Sequence, residues 1–347
     1  MDRRWLWPAA IAAAVIALRL ATMADQLWAW DSVLYARALE RGFHVDFELP
    51  DQRPQPPGYI LYLAFASLFR ALGAGTNGGL VLVSVLASGL GAAAIFTLAR
   101  RFAGHRAALI ATIAFACDPL IWLYGSVAYP YALLGALSVT LAGLFWHARQ
   151  ARGAWPVFAS VAFGLLAGFR QDLGLLLGVL WLWMLVPAGR RERVIALAAV
   201  FGGITVWLLP TAILSDGLGA YLTALARQSD QVRSTYSVQA QGLEALWTNA
   251  RFTLYALAWG LLGTALVLAT VGAAAALEAR RAGRPRLGLR GGFFAAWLLP
   301  GMVFYVAVHI GEWGYVLSVL PGLHVLAAVA IARLSTALGP LGRRRWH

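Results

Sequence analysis

The chain has 347 residues, of which 61% are hydrophobic and only 12% are charged, and its mean hydropathy is +0.70. Because soluble domains carry about 25% charged residues, this composition excludes a soluble globular protein and predicts an all-α polytopic membrane protein. The net charge of +13 would suggest nucleic acid as the partner of a soluble protein. Here most arginines lie in short loops between apolar runs, so we expect membrane lipids, and no nucleic acid, as partners.

A spanning helix needs about 20 apolar residues, and the apolar runs predict ten spans in one transmembrane domain over 1–347. Arginine-rich short loops resist translocation, which places both termini on the cytoplasmic side and most carboxylates on the outer face. In chain order the predicted spans are 5–24, 79–99, 105–125, 130–147, 154–169, 173–188, 194–213, 252–276, 291–309 and 315–335.

The first apolar run has a second interpretation. Residues 1–24 begin with basic side chains and have small residues around Ala24, which is also typical of a cleaved signal peptide. Arg19 near the end of the run, and the length of the run, favour a span.

Two outer segments are longer than simple connections need to be, one over 25–78 and the other over 215–251. The first contains an amphipathic stretch at 31–41 that is typical of an in-plane helix at the membrane surface. We interpret the apolar stretch 57–72 as a further interfacial helix, because counting it as a span would reverse the sidedness of the later loops. The glycine-rich stretch 73–78 has no strand before it, so it predicts a flexible turn and no nucleotide site.

Short motifs recur along the chain in a characteristic order: Trp30-Asp31, Gln55-Pro56-Pro57-Gly58-Tyr59, Arg100-Arg101 at the end of a span, Asp118-Pro119, Gly168-Phe169-Arg170-Gln171-Asp172 and Glu312-Trp313-Gly314-Tyr315. This order resembles the C-type (GT-C) glycosyltransferase superfamily, in particular its branch of protein O-mannosyltransferases and the lipid A aminoarabinose transferase. The motifs are short, and their order over nearly the whole chain carries the resemblance. It implies a GT-C-like fold with catalytic and juxtamembrane helices in the first outer loop.

The resemblance implies that Asp31 is the catalytic base. In this superfamily a carboxylate of the first outer loop takes the proton of the acceptor hydroxyl, which is a poor nucleophile without such help. Direct displacement with one base would invert the configuration at the sugar carbon. The family often has two consecutive acids here, whereas this chain has Ser32 after Asp31. An alternative interpretation of Asp31 is an N-cap of the following helix.

The donor that the resemblance implies is a sugar on a polyprenyl phosphate, so the site must bind a phosphate leaving group. Arginine suits this task because it can donate two parallel hydrogen bonds. The expected phosphate-binding residues are Arg53, Arg170, Arg251 and His309. Gln55 stands where relatives often have a basic residue. For Arg170 a simple ion pair with Asp172 is the alternative.

Further residues are expected to line the substrate cavity: Gln55, Tyr59, Asp118, Tyr129, Asp172 and Glu312. Asp118 could instead satisfy backbone groups that Pro119 leaves free. Small-residue repeats at 164–168 and 174–178 flank the predicted turn that contains Arg170 and indicate close helix packing there.

The predicted function is therefore a membrane glycosyltransferase of the bacterial inner membrane, with its active site on the periplasmic or extracellular side. A flippase or transporter of lipid-linked sugars, or a non-catalytic membrane subunit, are the alternatives. No cofactor is expected, and the sequence does not indicate a divalent metal, because six scattered histidines and the single Cys117 lack zinc-ligand spacing. With little sequence after the last span, a lipid-linked or glycan-linked acceptor is favoured over a protein.

Overall fold

A computed structural model describes residues 6–48, 52–262 and 288–343, together with 264, 265, 269 and 272, and of 334–343 it describes the backbone alone. The regular elements of these residues are all helical, which confirms the predicted all-α class. The α-helices are α1 (Leu6–Leu20), α2 (Trp30–Arg41), α3 (Ile60–Phe69), α4 (Gly75–Ala103), α5 (His105–Ala116), α6 (Pro119–Ser126), α7 (Tyr131–Ala151), α8 (Trp155–Leu166), α9 (Asp172–Leu185), α10 (Arg190–Ile213), α11 (Leu218–Tyr236), α12 (Val238–Gly260), α13 (Leu289–Ala307) and α14 (Leu320–Arg343). A π-helical turn follows α3, and a 3₁₀ helix, Trp313–Ser318, precedes α14.

Apolar helices occupy the predicted spans. In the part of the chain that the structure describes, four helical segments are long and apolar enough to cross a membrane: Ile60–Ala103, which comprises α3, the π-helical turn and α4, and the single helices Tyr131–Ala151, Arg190–Ile213 and Leu289–Ala307. A fifth results if α5 and α6, which meet at 58°, form one bent span, and α1, α8, α9 and the first part of α14 are shorter apolar helices. Much of the predicted span 252–276, and the arginine-rich loop after it, lie outside the described residues, so the number of ten crossings stays a prediction.

The helix α4 is the centre of the bundle and packs against α1, α3, α5, α7 and α14. It runs in the same direction as α7, because residues further along α4 contact residues that are equally further along α7. Ser84 donates a hydrogen bond to the carbonyl of Tyr129 just before α7 at 2.8 Å, and Gly91 packs on Ala136 further along. The first residues of α4 and α7 therefore lie at one end of the bundle and their last residues at the other.

The chain turns sharply between α3 and α4. Gly73 has a φ of 99°, a left-handed conformation that a residue with a side chain adopts only with strain, so glycine allows the helix to end here. α3 then packs back on α4, where a Cβ on Gly79 would come 2.6 Å from the carbonyl oxygen of Ala66. Of the turn predicted at 73–78, the structure has the change of direction at 73–75, whereas 76–78 belong to α4. The interfacial position of 57–72 stays a prediction.

Small residues allow α8 and α10 to pack closely against each other. A Cβ on Gly164 would clash with the carbonyl of Val200, and one on Gly203 would lie 2.5 Å from the carbonyl of Val161. The close packing predicted from 164–168 is confirmed. The same prediction for 174–178 is wrong, because a Cβ at Gly174 or Gly178 meets no atom within 4 Å.

The apolar stretch 105–125 is interrupted between α5 and α6. Asp118 is the N-cap of α6, and its carboxylate accepts hydrogen bonds from the amides of Leu120 at 2.8 Å and Ile121 at 3.3 Å. On the other side of the interruption, the guanidinium of Arg19 from α1 donates to the carbonyl of Ala116 at 2.5 Å. Backbone groups that a continuous helix would pair are thus satisfied by side chains.

The two outer segments contact each other. The backbone amide of Val45 donates to the Ser215 hydroxyl at 3.0 Å, and the Tyr221 hydroxyl of α11 donates to the carbonyl of Pro57 at 3.2 Å. The segment 25–78 is therefore held between α11 and the first residues of α4 and α7.

Candidate active site

Helix α2 presents Asp31 at the start of its first turn. Ala29 is the N-cap residue, and no side chain caps the helix, so the alternative interpretation of Asp31 as an N-cap is wrong. One turn further along α2, on the same face as Asp31, Leu34 and Tyr35 are almost inaccessible, and the Ser32 hydroxyl donates to the carbonyl of Ala128 at 2.8 Å. These contacts fix the helix while the Asp31 carboxylate stays partly accessible.

The loop after α2 returns to Asp31. His44 and Arg53 pair through two backbone hydrogen bonds, of 2.7 and 3.0 Å, which close the loop. Two residues later, Gln55 donates through Nε2 to Oδ1 of Asp31 at 2.9 Å. Gln55 thus contacts the carboxylate that the sequence predicts as the base.

The environment of Asp31 opposes ionisation. Burial raises the pKa of Asp31 above its ordinary value, while hydrogen bonds from Tyr129 and Gln55 and the positive charge of Arg170 act in the opposite direction. A base needs a pKa closer to the working pH than that of an ordinary aspartate, and partial burial has this effect.

Arg170 lies in the turn between α8 and α9 and is 1% exposed. Its Nε and Nη2 donate to the two carboxylate oxygens of Asp172 at 3.1 and 2.8 Å, the bidentate geometry that arginine favours. Three tyrosine rings surround the guanidinium, with the ring centres of Tyr59, Tyr131 and Tyr315 at 5.1, 4.4 and 5.5 Å from its carbon. The charge is therefore compensated by one carboxylate and by the faces of the rings.

A second carboxylate, that of Glu312 just before the 3₁₀ helix, interacts electrostatically with Asp31. Glu312 accepts a hydrogen bond from the Tyr124 hydroxyl at 3.3 Å. Loss of hydration raises the pKa of Glu312, and the negative charge of Asp31 raises it further. Asp31 and Glu312 are thus supplied by segments far apart in the sequence, and Ser32 has a structural role.

The structure brings together most of the residues that the sequence predicts for the site. Its members are Asp31, Gln55, Tyr59, Tyr129, Arg170, Asp172 and Glu312. Tyr124, Tyr131 and Tyr315 also belong to it and were missed. Tyr131 stacks on Tyr129 at 5.2 Å between ring centres and carries the contact to Arg170. No sequence signal distinguishes these rings from the aromatic residues of a membrane boundary.

Other predicted residues lie elsewhere. Arg53 donates to the carbonyl of Arg41 at 3.1 Å, and the exposed Arg251 lies over the ring of Tyr255 on its own helix. Asp118 lies in the interruption between α5 and α6, 3.9 Å from the ring nitrogen of His324, so it serves the backbone as its alternative interpretation stated.

His309 is next to the site. Its ring lies 5.6 Å from Tyr315 and 4.7 Å from Tyr236 between centres, and its Nδ1 is buried with no hydrogen-bond partner among the described residues. Among all the residues that the structure describes, no three His, Cys, Asp or Glu side chains are grouped so that they could hold a metal ion.

Comparison with solved structures identifies the fold. The structure of ArnT from Cupriavidus metallidurans bound to undecaprenyl phosphate is 18% identical, with a TM-score of 0.69 over 96% of this chain and 61% of that chain. The Archaeoglobus fulgidus oligosaccharyltransferase in complex with Zn and sulfate is 17% identical, with a TM-score of 0.55 over 96% of this chain and 51% of that one. AglB of the same organism, in complex with an inhibitory peptide and a dolichol-phosphate, is 13% identical, with a TM-score of 0.58 over 99% and 52%.

ArnT and AglB both belong to the GT-C superfamily, so the resemblance found in the sequence is confirmed at the level of the fold. The chain spans about three fifths of ArnT and about half of the oligosaccharyltransferase. No sequence family profile matches it, and no curated protein sequence does.

Proposed function

We propose that the protein is a membrane glycosyltransferase that moves a sugar from a polyprenyl-phosphate donor to an acceptor hydroxyl. The observation that carries the proposal is the Asp31 carboxylate, which is partly accessible, oriented by Gln55 and adjacent to the charge of Arg170. Support for the donor class comes from the structures with the same fold, which hold undecaprenyl phosphate or dolichol-phosphate.

In the proposed reaction Asp31 accepts the proton of the acceptor hydroxyl. The oxygen then forms a bond to the anomeric carbon while the bond from that carbon to the phosphate oxygen breaks, and the polyprenyl phosphate leaves with the electron pair. A single displacement of this kind inverts the anomeric configuration. The protonated Asp31 is the direct product of the base step, and its raised pKa favours the transfer.

Arg170 and His309 are the proposed contacts of the donor phosphate. Asp172 occupies two nitrogens of Arg170, which leaves Nη1 with no hydrogen-bond acceptor among the described residues. His309 offers Nδ1 beside Tyr315. Arg170 would then hold the phosphate through one nitrogen and a positive charge, and Asp172 would orient it.

The remaining groups of the site suit a sugar. Gln55, Glu312 and the hydroxyls of Tyr124 and Tyr129 are polar, whereas the tyrosine faces are apolar, and sugars present both kinds of surface. We propose that these residues line the substrate cavity. The proposed acceptor is linked to a lipid or glycan. The proposed location of the site is the periplasmic side of a bacterial inner membrane. The accumulation of arginines at the other end of α4 and α7 supports this orientation.

Purified protein in lipid nanodiscs, given a radiolabelled polyprenyl-phosphate sugar and a set of lipid-linked and glycan acceptors, tests the proposal. We expect labelled acceptor and free polyprenyl phosphate from the wild type and neither from Asp31→Asn. In sealed vesicles, movement of the intact donor across the bilayer without bond cleavage would indicate a transporter instead. Absence of both activities with every acceptor and donor of the class would favour a non-catalytic subunit.

A further inference from the structure

A groove of about 270 Å³ lies between α1, α4 and α7, far from Asp31. It exists because small residues face each other there, Ala93 and Ala94 on α4 and Gly143 on α7. A Cβ on Gly143 would meet only the side chain of Leu98, at 3.9 Å, so the space beside it is open.

Apart from Arg101, the walls of the groove are apolar except for two threonine hydroxyls, whose protons are already donated within their own helices. The hydroxyls of Thr97 and Thr140 donate to the carbonyls of Ala93 at 2.8 Å and Ala136 at 2.7 Å, one turn earlier in their own helices. With these hydroxyls engaged, a polar occupant would lose its hydrogen bonds to water without replacement. A hydrocarbon chain makes no hydrogen bonds to water, so it would lose none on entering the groove.

Arg101 lies at the mouth of the groove and is exposed. Among the described residues it has no carboxylate partner within ion-pair distance. Other exposed or partly exposed arginines lie at the same end of the bundle, because α4 and α7 run in the same direction: Arg100, Arg106, Arg149 and Arg152. This end therefore complements a negatively charged surface.

The groove and the candidate active site lie at opposite ends of α4. Ser84 is at the level of Tyr129, next to Asp31, whereas Leu98 is at the level of Gly143. The fourteen residues from Ser84 to Leu98 span about 21 Å along the helix axis, which is about two thirds of the hydrocarbon thickness of a bilayer. A lipid whose phosphate lies at Arg101 could not present that phosphate to Asp31.

We propose that the groove binds one acyl chain of an anionic phospholipid whose phosphate contacts Arg101. The occupant is a phospholipid of the leaflet opposite the active site, and the proposal does not depend on the transferase activity. The apolar walls recognise the chain, and Arg101 at the mouth of the groove selects a negatively charged headgroup.

Native mass spectrometry of the purified full chain with phosphatidylglycerol and phosphatidylcholine tests the proposal. We expect the wild type to retain one phosphatidylglycerol, and Arg101→Gln to lower its preference over phosphatidylcholine about fivefold, the effect of one arginine at an anionic surface. Arg106→Gln is the matched control, an exposed arginine outside the groove, and should keep the preference. Gly143→Leu fills the groove and should lose both lipids.

Ala94→Leu fills the same groove from α4 and replaces Gly143→Leu if that variant fails to fold, which melting without lipid will show. Unchanged lipid retention in either filled variant that folds would overturn the proposal. Equal losses of preference in Arg101→Gln and Arg106→Gln would also overturn it, because they would indicate general surface attraction. Displacement of phosphatidylglycerol by equimolar undecaprenyl phosphate would show that the groove is a polyprenyl site.

Discussion

Two arginines, Arg170 and Arg19, are both almost completely buried, yet the protein uses their charges differently. Arg170 has a bidentate carboxylate partner and three tyrosine rings around it. Arg19 has one ring, that of Trp122 at 4.1 Å, and one carbonyl acceptor, while its Nε and Nη1 are buried without a partner among the described residues. The guanidinium of Arg170 is part of a polar site, whereas that of Arg19 binds the carbonyl at the end of a helix.

The difference teaches how to interpret a buried charge in a membrane protein. An ionisable group buried in a membrane protein suggests function by default, and both arginines are buried, Arg19 within α1 and Arg170 in the turn between α8 and α9. Only Arg170 lies beside a carboxylate, Asp31, that is partly accessible. The neighbour of Arg19 is Asp118, which is buried and already bound to two backbone amides. Burial of the arginine therefore does not distinguish a candidate catalytic site from a structural contact. The accessibility of the neighbouring carboxylate does.

The largest effect is expected when the same substitution is compared at Asp31 and at Asp118. Asp31→Asn should lower transfer about 10²–10⁴-fold, because the base is lost, while thermal stability changes little. Asp118→Asn is the matched substitution, since the asparagine oxygen can still cap α6, and its folded fraction should keep transfer. The measurements are initial rates per folded protein and melting temperature. Wild-type turnover by Asp31→Asn would remove Asp31 from the mechanism.

The next effect concerns the ion pair of Arg170. Asp172→Ala should cost about 3–5 kcal/mol, because it leaves the buried charge of Arg170 without its partner, and the double variant should be less destabilised. Arg170→Ala should cost less than Asp172→Ala, because the carboxylate that it leaves is partly exposed. If Arg170 also holds the donor, Arg170→Ala should weaken binding of polyprenyl phosphate, and Arg170→Lys should restore it only in part. Melting temperatures and lipid-phosphate affinity are measured together. Unchanged affinity, with stability rescued in the double variant, would leave Arg170 a structural role only.

A smaller effect is expected for Arg19. Arg19→Met removes the donor to the carbonyl of Ala116 but also removes two unpaired buried N–H groups, so the loss should be at the low end of the range of about 1–3 kcal/mol for a buried group left unsatisfied. Transfer per folded molecule should stay near that of the wild type. A loss of transfer as large as that of Asp31→Asn, in a protein that still melts cooperatively, would contradict the structural role assigned to Arg19.

The smallest effect is a displacement of the pH profile. Asp31 must be ionised to act as a base, so transfer should fall as the pH drops through its raised pKa. Gln55→Leu removes a hydrogen bond that favours the carboxylate, so the acidic limb should move to higher pH. The shift should be about one unit, because a hydrogen bond to a charged group contributes about 1.5–3 kcal/mol and one pKa unit corresponds to about 1.4 kcal/mol. A limb that stays in place would exclude Gln55 as a determinant of the Asp31 pKa.

Much of the fold could be predicted from the sequence because the signals are local. Apolar length marks the helices, the glycines at 73 and 75 mark the turn before α4, and the motif order indicates the GT-C architecture. The proximity of Arg170 and Asp172 is also local, since only Gln171 separates them along the chain. Of the alternatives stated for Asp118, the contact with backbone amides is the one found.

The rest of the site depends on contacts between distant segments. The interaction of Glu312 with Asp31 requires the residue before the 3₁₀ helix to lie near the start of α2, and no periodicity encodes that proximity. Arg53 was expected at the phosphate because of its place before the prolines, but the backbone pairing with His44 directs its side chain to the end of α2. Charge type and sequence position alone do not determine such orientations.

The interruption between α5 and α6 links two positions that are distant in the sequence. A continuous helix at this point would need neither the guanidinium at position 19 nor the carboxylate at 118, because its own amides and carbonyls would pair. Where the two half-helices are kept, both side chains are needed at once, one at each open end. Natural sequences with this fold should therefore gain or lose the two residues as a pair, which makes their covariation a signature of the bent span itself.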